Sequence, residues 1–295
     1  YVVQDPNGNA CAVYDSVMDI DYASGRISCK SADVLIDYIR ANGLELKWLI
    51  ETHAHADHLS AAPYIQGKLG GKLGIGEHIV TVQNVFGKIF NEGTEFQRDG
   101  SQFDRLFKDG DTYEIGALKA FVMYTPGHTP ACTTHVVGNS AFVGDTLFMP
   151  DGGTARADFP GGDARTLYRS IRKVLETLPR DTRLYMCHDY APGGREIQWE
   201  TTVDEERRSN IHVRDGVSDQ ALFYGTREEI EQLRPVEGAH RIRPARRREV
   251  ELALHQDELP RRRQRSSRID DDGAVKSGFR GIIRKARIAI MLDRI

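Results

Sequence analysis

Cysteine is scarce in this chain. Cys11, Cys29, Cys132 and Cys187 are the only four in 295 residues, and no two have CxxC spacing. That argues against a disulfide scaffold or a zinc ribbon and favours a reducing compartment, so a cytoplasmic location is expected. No window approaches the roughly eighteen consecutive apolar residues of a spanning helix. No basic segment followed by an apolar one opens the chain, so no signal peptide is expected. Residue 1 is Tyr rather than Met, and the native start is expected upstream. A net charge of −3 gives no general pull toward nucleic acid. Gly70, Gly71, Gly74 and Gly76 lack the Lys-Ser/Thr of a phosphate loop. No internal repeat is visible.

What is present is an alternation of short β-rich runs and helical patterns up to about residue 220. "ACAVYDSV", "LELKWLIET", "KAFVMYT" and "TRLYMCHDY" read as strands, and "CTTHVVG" with "SAFVGDTLF" reads as a hairpin around Gly138-Asn139. "SADVLIDYIRANG" predicts a helix with Ser31 as N-cap, Val34, Leu35, Tyr38 and Ile39 on one face, and Gly43 as stop. "HLSAAPYIQGKLGG" predicts a helix starting at the histidines that precede it. "DARTLYRSIRKVLETLP" predicts a helix whose apolar face is Leu167, Ile171, Val174, Leu175 and Leu178. His53, His128, Asp145 and His188 each fall just past an apolar strand, where loops of α/β proteins converge on ligands.

The densest chemistry is "ETHAHADHLS", with His53, His55, Asp57 and His58 inside six residues. Neutral imidazole and carboxylate are the usual ligands of zinc and iron. Histidines at i and i+2 on a tight loop can approach one cation, and Asp57 with His58 would face a second position. Without a metal this would be a crowd of polar groups with no return. Isolated histidines are more often structural, and that reading is given to His78, His135, His212, His240 and His255. Cys132 and Cys187 flank the ligand loops and are read as small buried apolar residues.

"THAHADH", "TPGHTPAC", "GDTLF" and "CHDY", in that order, resemble the metallo-β-lactamase fold superfamily across most of residues 1–222. The resemblance implies an α/β fold, an αββα sandwich with its site at one edge between two sheets. Within the superfamily the chain most resembles persulfide dioxygenases and their bacterial β-lactamase-like hydrolase relatives. "THAHADHLSAAPYIQ", "FVGDTLF" and "MCHDY" carry this, and "GTARADFPGGDA" discriminates best, since general hydrolases of the fold lack it. By that resemblance one Fe(II) per chain is held by His53, His128 and Asp145, with positions left open for substrate sulfur and O2. Glutathione persulfide and O2 would be the small-molecule substrates, with sulfite and glutathione released after water enters. His55, Asp57, His58 and His188 match positions that complete a dinuclear site in the hydrolytic relatives. In a mono-iron enzyme they would hold the ligands by hydrogen bonds. Tyr190 matches a glutathione-contacting tyrosine, and Arg156 resembles an arginine of the dioxygenases, placed to meet a glutathione carboxylate or to fix its loop through Asp158. Residues 75–109 are longer than in the mitochondrial-type enzymes, and a lid or an oligomer contact, such as a homodimer interface, is expected there.

The alternative activity is a glutathione-thioester hydrolase of the glyoxalase II type with two Zn(II) per chain. His53, His55 and His128 would hold one ion, Asp57, His58 and His188 the other, and Asp145 would bridge. A metal-binding sensor without turnover is a third reading, opposed by the intact ligand set.

The charge balance breaks near residue 222. Residues 1–222 carry 22 Lys+Arg against 31 Asp+Glu, while residues 223–295 carry 18 against 12, nets of −9 and +6 that sum to −3. From Arg234 to Gly273 there are 19 charged residues in 40 and no aromatic residue, which disfavours a base-stacking nucleic-acid arm. A solvated disordered extension is one reading. The preferred one is a shift of reading frame near Phe223, since arginine-rich, lysine-poor text is what a GC-rich gene yields out of register. The expected division is therefore a catalytic domain over 1–222 and an atypical basic tail over 223–295.

Overall fold

The computed structural model describes residues 1–218 apart from residues 56 and 94. The proposed tail, His240 and His255 lie outside the described residues. The first half runs β1 (Val2–Gln4), β2 (Ala10–Tyr14), β3 (Val17–Asp21), β4 (Arg26–Ser28), α1 (Lys30–Ala41), β5 (Glu45–Ile50), β6 (Leu59–Ser60), α2 (Ala62–Leu69), β7 (Lys72–Gly76), α3 (Ile79–Ile89) and β8 (Arg105–Phe107). The second runs β9 (Thr112–Ile115), β10 (Leu118–Tyr124), β11 (Thr133–Val137), β12 (Ser140–Gly144), α4 (Ala164–Thr177), β13 (Arg183–Met186), a short turn at Pro192–Gly194, β14 (Glu200–Thr202) and α5 (Val203–Ser209).

Two sheets result, ordered β1-β2-β5-β7-β8 and β14-β13-β12-β11-β10-β9, with a small β4-β3-β6 sheet beside them. In the first, β2, β5, β7 and β8 are parallel; in the second, only the β12–β13 pair is. Three buried clusters define the layers. Tyr14, Ile50 and Phe107 of the first sheet meet Tyr113, Val122, Phe142 and Tyr185 of the second. The other face of the first sheet packs Val13 and Leu49 on Ile36 and Ile39 of α1 and Ile65 of α2. The other face of the second packs Val143 and Leu184 on Leu167, Ile171, Val174 and Leu175 of α4 and Val203 of α5. The architecture is an αββα sandwich, as the sequence motifs imply. At its centre Phe142 stacks on Tyr14 with ring centroids 4.2 Å apart and planes 9° apart. Each such ring contributes about 1.5–3 kcal/mol by leaving water.

Several local expectations change. Helix α1 begins at Lys30 and Ser31 is not its cap; the Ser31 hydroxyl donates to Asp19 Oδ1 at 2.5 Å instead. The buried face of α1 is Ala32, Ile36 and Ile39, and Val34 is exposed. Helix α2 does not start at the histidines, because Leu59 and Ser60 first pair with Met18 and Val17. Ser60 Oγ then accepts from the Ala62 amide at 3.0 Å and opens the helix. Helix α4 is as expected, with Asp163 accepting from the Thr166 amide at 2.7 Å. Residues 75–109 are largely built into the fold: they end β7, form α3 and supply edge strand β8. Gln83 Oε1 and the Gly100 amide tie their intervening loop to α3 at 3.0 Å.

Candidate metal centre

Four strands deliver the site. His53 lies three residues past β5 of the first sheet. His128, Asp145 and His188 follow β10, β12 and β13 of the second. A register shift between Phe142 and Gly144 turns the chain just before Asp145. Gly144 has φ +54°, and a Cβ there would lie 2.4 Å from Thr52 Oγ1. Gly127, before His128, has φ +137° and would place a Cβ 2.3 Å from the Leu167 backbone. At both places only glycine fits.

His53, His128 and Asp145 are all buried, and their donor atoms lie within 4.8 Å of one another. His53 Nε2 is 3.8 Å from Asp145 Oδ2, and His128 Nε2 is 3.6 Å from the same oxygen. Each ring is held by its other nitrogen. His128 Nδ1 donates to the Arg156 carbonyl at 2.8 Å. His53 Nδ1 meets Thr52 Oγ1 at 3.0 Å, and that hydroxyl donates to Asp15 Oδ1 at 3.1 Å. Both tautomers are thereby set with a lone pair on Nε2. His53 Nε2 and Asp145 Oδ1 are buried without a hydrogen-bond partner. An unpaired buried polar atom costs about 1–3 kcal/mol. Their convergence with His128 is what a cation would repay, so the residues present fit a metal ion. Burial lowers His53 well below the ordinary histidine value and raises Asp145.

A second donor group, His55, Asp57 and His58, adjoins the first. His188 Nε2 links the two, 3.2 Å from Asp57 Oδ2 and 3.6 Å from Asp145 Oδ1. This group is more open: the Asp57 side chain is 49% exposed and that of His188 26%, against 10% for Asp145. The second position is thus only partly enclosed by protein.

Two carboxylates that the motifs do not single out stand behind the histidines. Asp15 Oδ1 accepts from the Thr52 amide at 2.7 Å and meets His55 Nε2 at 3.1 Å. Glu51 Oε2 lies 3.3 Å from the same nitrogen, and Glu51 Oε1 accepts from Ser60 Oγ at 2.6 Å. Burial pulls His55 down, but the hydrogen bonds to Asp15 and Glu51 outweigh it and lift the ring to about 10. Burial raises Glu51. Asp15 has φ +46°, an uncommon conformation for a residue with a side chain. The available signal was the strand-end rule: Asp15 follows β2 and Glu51 follows β5, just as Asp145 follows β12. Cys187 corrects the apolar reading given to it, since its Sγ donates to Asp15 Oδ2 at 3.3 Å.

Arg156 and Tyr190 line the rim. Arg156 forms a two-point pair with Asp158 at 2.5 and 2.7 Å, and both side chains are exposed. Its guanidinium sits 4.8 Å over the Phe159 ring, whose edge faces His128 at 5.2 Å. Tyr190 is 67% exposed, edge-on to Phe148 at 5.5 Å and stacked parallel to His188 at 6.2 Å. The remaining described histidines are placed as structural residues. His135 is buried between Tyr113 Oη and Thr133 Oγ1, both at 3.0 Å, and burial lowers it to about 4. His78 stacks on Tyr124, and His212 packs against Gly153.

Comparison with known proteins follows the same lines. The family model of the metallo-beta-lactamase superfamily matches residues 1–188. A probable metallo-hydrolase of Burkholderia pseudomallei is 58% identical over 74% of this chain and 78% of its own. Glyoxylase B2 of Dictyostelium discoideum is 49% identical, covering 74% and 75%. The human mitochondrial persulfide dioxygenase ETHE1 is 34% identical over 58% of each chain. Among solved structures, ETHE1 from Myxococcus xanthus superposes with a TM-score of 0.59 at 26% identity, covering 76% of this chain and 82% of that one. The chain spans about half the length of the beta-lactamase hydrolase-like proteins it also matches, 49% in Agrobacterium fabrum.

Proposed function

We propose, from the premise that this chain belongs to the metallo-β-lactamase superfamily, that it is a persulfide dioxygenase using one Fe(II) per chain, glutathione persulfide and O2. The observation that carries this reading is the inequality of the two donor groups. His53, His128 and Asp145 are buried and preset, with two atoms unpartnered, while Asp57 and His188 are partly open to solvent. Two imidazoles and one carboxylate on one face leave coordination positions free for two reactants. Iron bound there would supply the redox chemistry between O2 and the persulfide sulfur.

The chain's own groups do the rest. Thr52 and the Arg156 carbonyl hold the two rings by their Nδ1 protons, so neither imidazole needs to reorient during turnover. Phe159 and the exposed Tyr190, backed by the buried Phe148, form an aromatic rim against which the remote part of a thiol substrate would rest. The overall change balances as glutathione persulfide, O2 and water giving sulfite and glutathione. The terminal sulfur is oxidised to S(IV), O2 accepts the electrons, and the S–S bond is the one that breaks. The resemblance to human and Myxococcus xanthus ETHE1 supports this assignment.

One observation favours a second reading, a dinuclear zinc thioester hydrolase. Asp145 faces His53 and His128 through Oδ2 and His188 through Oδ1, as a bridging carboxylate would. The relatives at 58% and 49% identity are named as a hydrolase and a glyoxylase. Anaerobic purification followed by elemental analysis and an oxygen electrode separates the two. One iron per chain with O2 uptake on glutathione persulfide is expected. Two zinc ions, thioester hydrolysis and no O2 uptake would replace the dioxygenase with the hydrolase.

A further inference from the structure

Between His188 and Tyr190 stands Asp189, whose side chain is 2% exposed although the tyrosine beside it faces solvent. A carboxylate so deeply placed must be matched by donors. Two are backbone amides, Ala191 to Oδ1 at 3.1 Å and Gln198 to Oδ2 at 2.7 Å. The other two come from Arg195, Nη1 to Oδ2 at 2.5 Å and Nη2 to Oδ1 at 2.8 Å. The sequence "HDYAPGGRE" explains how Arg195 returns to Asp189. Ala191, Gly193 and Gly194 have φ of 47°, 70° and 79°, so the chain reverses within one short turn.

Arg195 does not stop there. Its Nε and a second hydrogen of Nη2 reach Asp151 Oδ2 and Oδ1, both at 2.6 Å. Asp151 belongs to the other loop, six residues after Asp145 and three after Phe148. That loop is pinned from below: Asn210 Nδ2 donates to the Gly153 carbonyl at 3.1 Å and the Ile211 amide to the Pro150 carbonyl at 2.9 Å. One planar guanidinium therefore joins the loop after β12 to the loop after β13. The first carries Asp145 and Phe148, the second His188 and Tyr190.

We propose that Arg195 is a positioning residue. By bridging Asp151 and Asp189 it sets the spacing of the His188–Tyr190 loop from the Asp145–Phe148 loop, and so the width of the aromatic rim and the reach of His188 toward Asp145. Lysine cannot replace it, because a point ammonium cannot present two pairs of parallel donors to two carboxylates. The expected effect on turnover rests on the dioxygenase reading; the effect on the loop does not.

The test uses the full chain. Asp151→Asn is the clean variant: Asp151 is 45% exposed, and changing it leaves Asp189 paired with Arg195. Arg195→Lys is the second. Hydrogen exchange of peptides covering residues 187–199 should rise in both variants, while that of α4, residues 164–177, stays as in the parent. KM for glutathione persulfide should rise about tenfold with kcat within about threefold, as for loss of a remote substrate contact. The double variant should be no worse than Arg195→Lys alone, since both break one bridge. Exchange that rises equally in α4 would make the clamp a general stabiliser and overturn the proposal. So would unchanged exchange at 187–199 in both variants. If the parent protein takes up no O2 with glutathione persulfide, the dioxygenase reading fails, and the exchange measurement still decides the role of Arg195.

Discussion

His53 and Asp57 lie four residues apart in one loop, yet the donor groups they belong to are built to different standards. His53 Nδ1 is held by Thr52, its Nε2 is buried beside Asp145, and the residue is 1% exposed. Around Asp57 the carboxylate is half in water, and its contacts are His188 at 3.2 Å and, through its backbone carbonyl, the exposed Tyr22 hydroxyl at 2.6 Å. A preset, dry donor set binds a cation without paying again for its ordering, whereas an open one competes with solvent. The difference argues for unequal occupancy of the two positions, and variants at Asp145 and His58 can break or sharpen it.

The largest effect is expected at Asp145, which turns one oxygen to His53 and His128 and the other to His188. Asp145→Ala should abolish metal retention and reduce O2 uptake to background, checked by elemental analysis and an oxygen electrode. His58→Ala comes next: metal affinity should fall about 10–100-fold with iron still recoverable, as for losses of groups that support ligands. Metal loss as complete as in Asp145→Ala would end the mononuclear reading. On the rim, Arg156→Ala and Tyr190→Phe should raise KM for glutathione persulfide by about 3–10-fold and change kcat less. An unchanged KM in both removes them from the substrate site.

The smallest effect concerns a buried carboxylate of α5, outside the donor groups. Glu206 is fully buried, accepts from Asn210 Nδ2 at 2.6 Å, and is raised by burial to about 8 from 4.5. The folded state therefore holds this proton more tightly than the unfolded one. The stability it contributes is complete below about pH 4.5 and is lost as pH rises to about 8. Glu206→Gln keeps the acceptor and removes the titration. Its Tm should exceed the parent's at pH 8.5 by roughly 2–4 °C per kcal/mol recovered. The advantage should shrink toward pH 5, with O2 uptake per iron unchanged. A gain that is equal at both pH values would show that Glu206 does not titrate as described.

Much of this was legible in the chain, and the residues show why. Strand-end placement located His53, His128, Asp145 and His188, because a parallel or mixed sheet forces ligand loops to one edge. His135 was separable from them by its place inside a strand, and the structure gives both its ring nitrogens protein partners. Asp15 was missed because its partners Thr52 and His55 are 37 and 40 residues away, past the neighbouring strand of the same sheet, and no local spacing encodes that contact. Glu51 was missed although His55 is only four residues on, because the reading of that stretch stopped at its metal-type histidines and Asp57. Ser31 misled for the opposite reason. It is a good cap by type, but Asp19 from β3 claims its hydroxyl and the helix starts one residue earlier. The Arg195 bridge was invisible in the same way, joining positions 44 and 6 residues distant.

The origin of the three buried donors has a consequence for folding. His53 comes from the first sheet, and His128 and Asp145 from the second, 75 and 92 positions further along the chain. In the folded chain they meet where the two sheets of the sandwich face each other. An ion held by all three is then a rivet across the seam between layers. Its binding energy is added to the docking equilibrium. Removing the ion should therefore loosen the docking of the two layers.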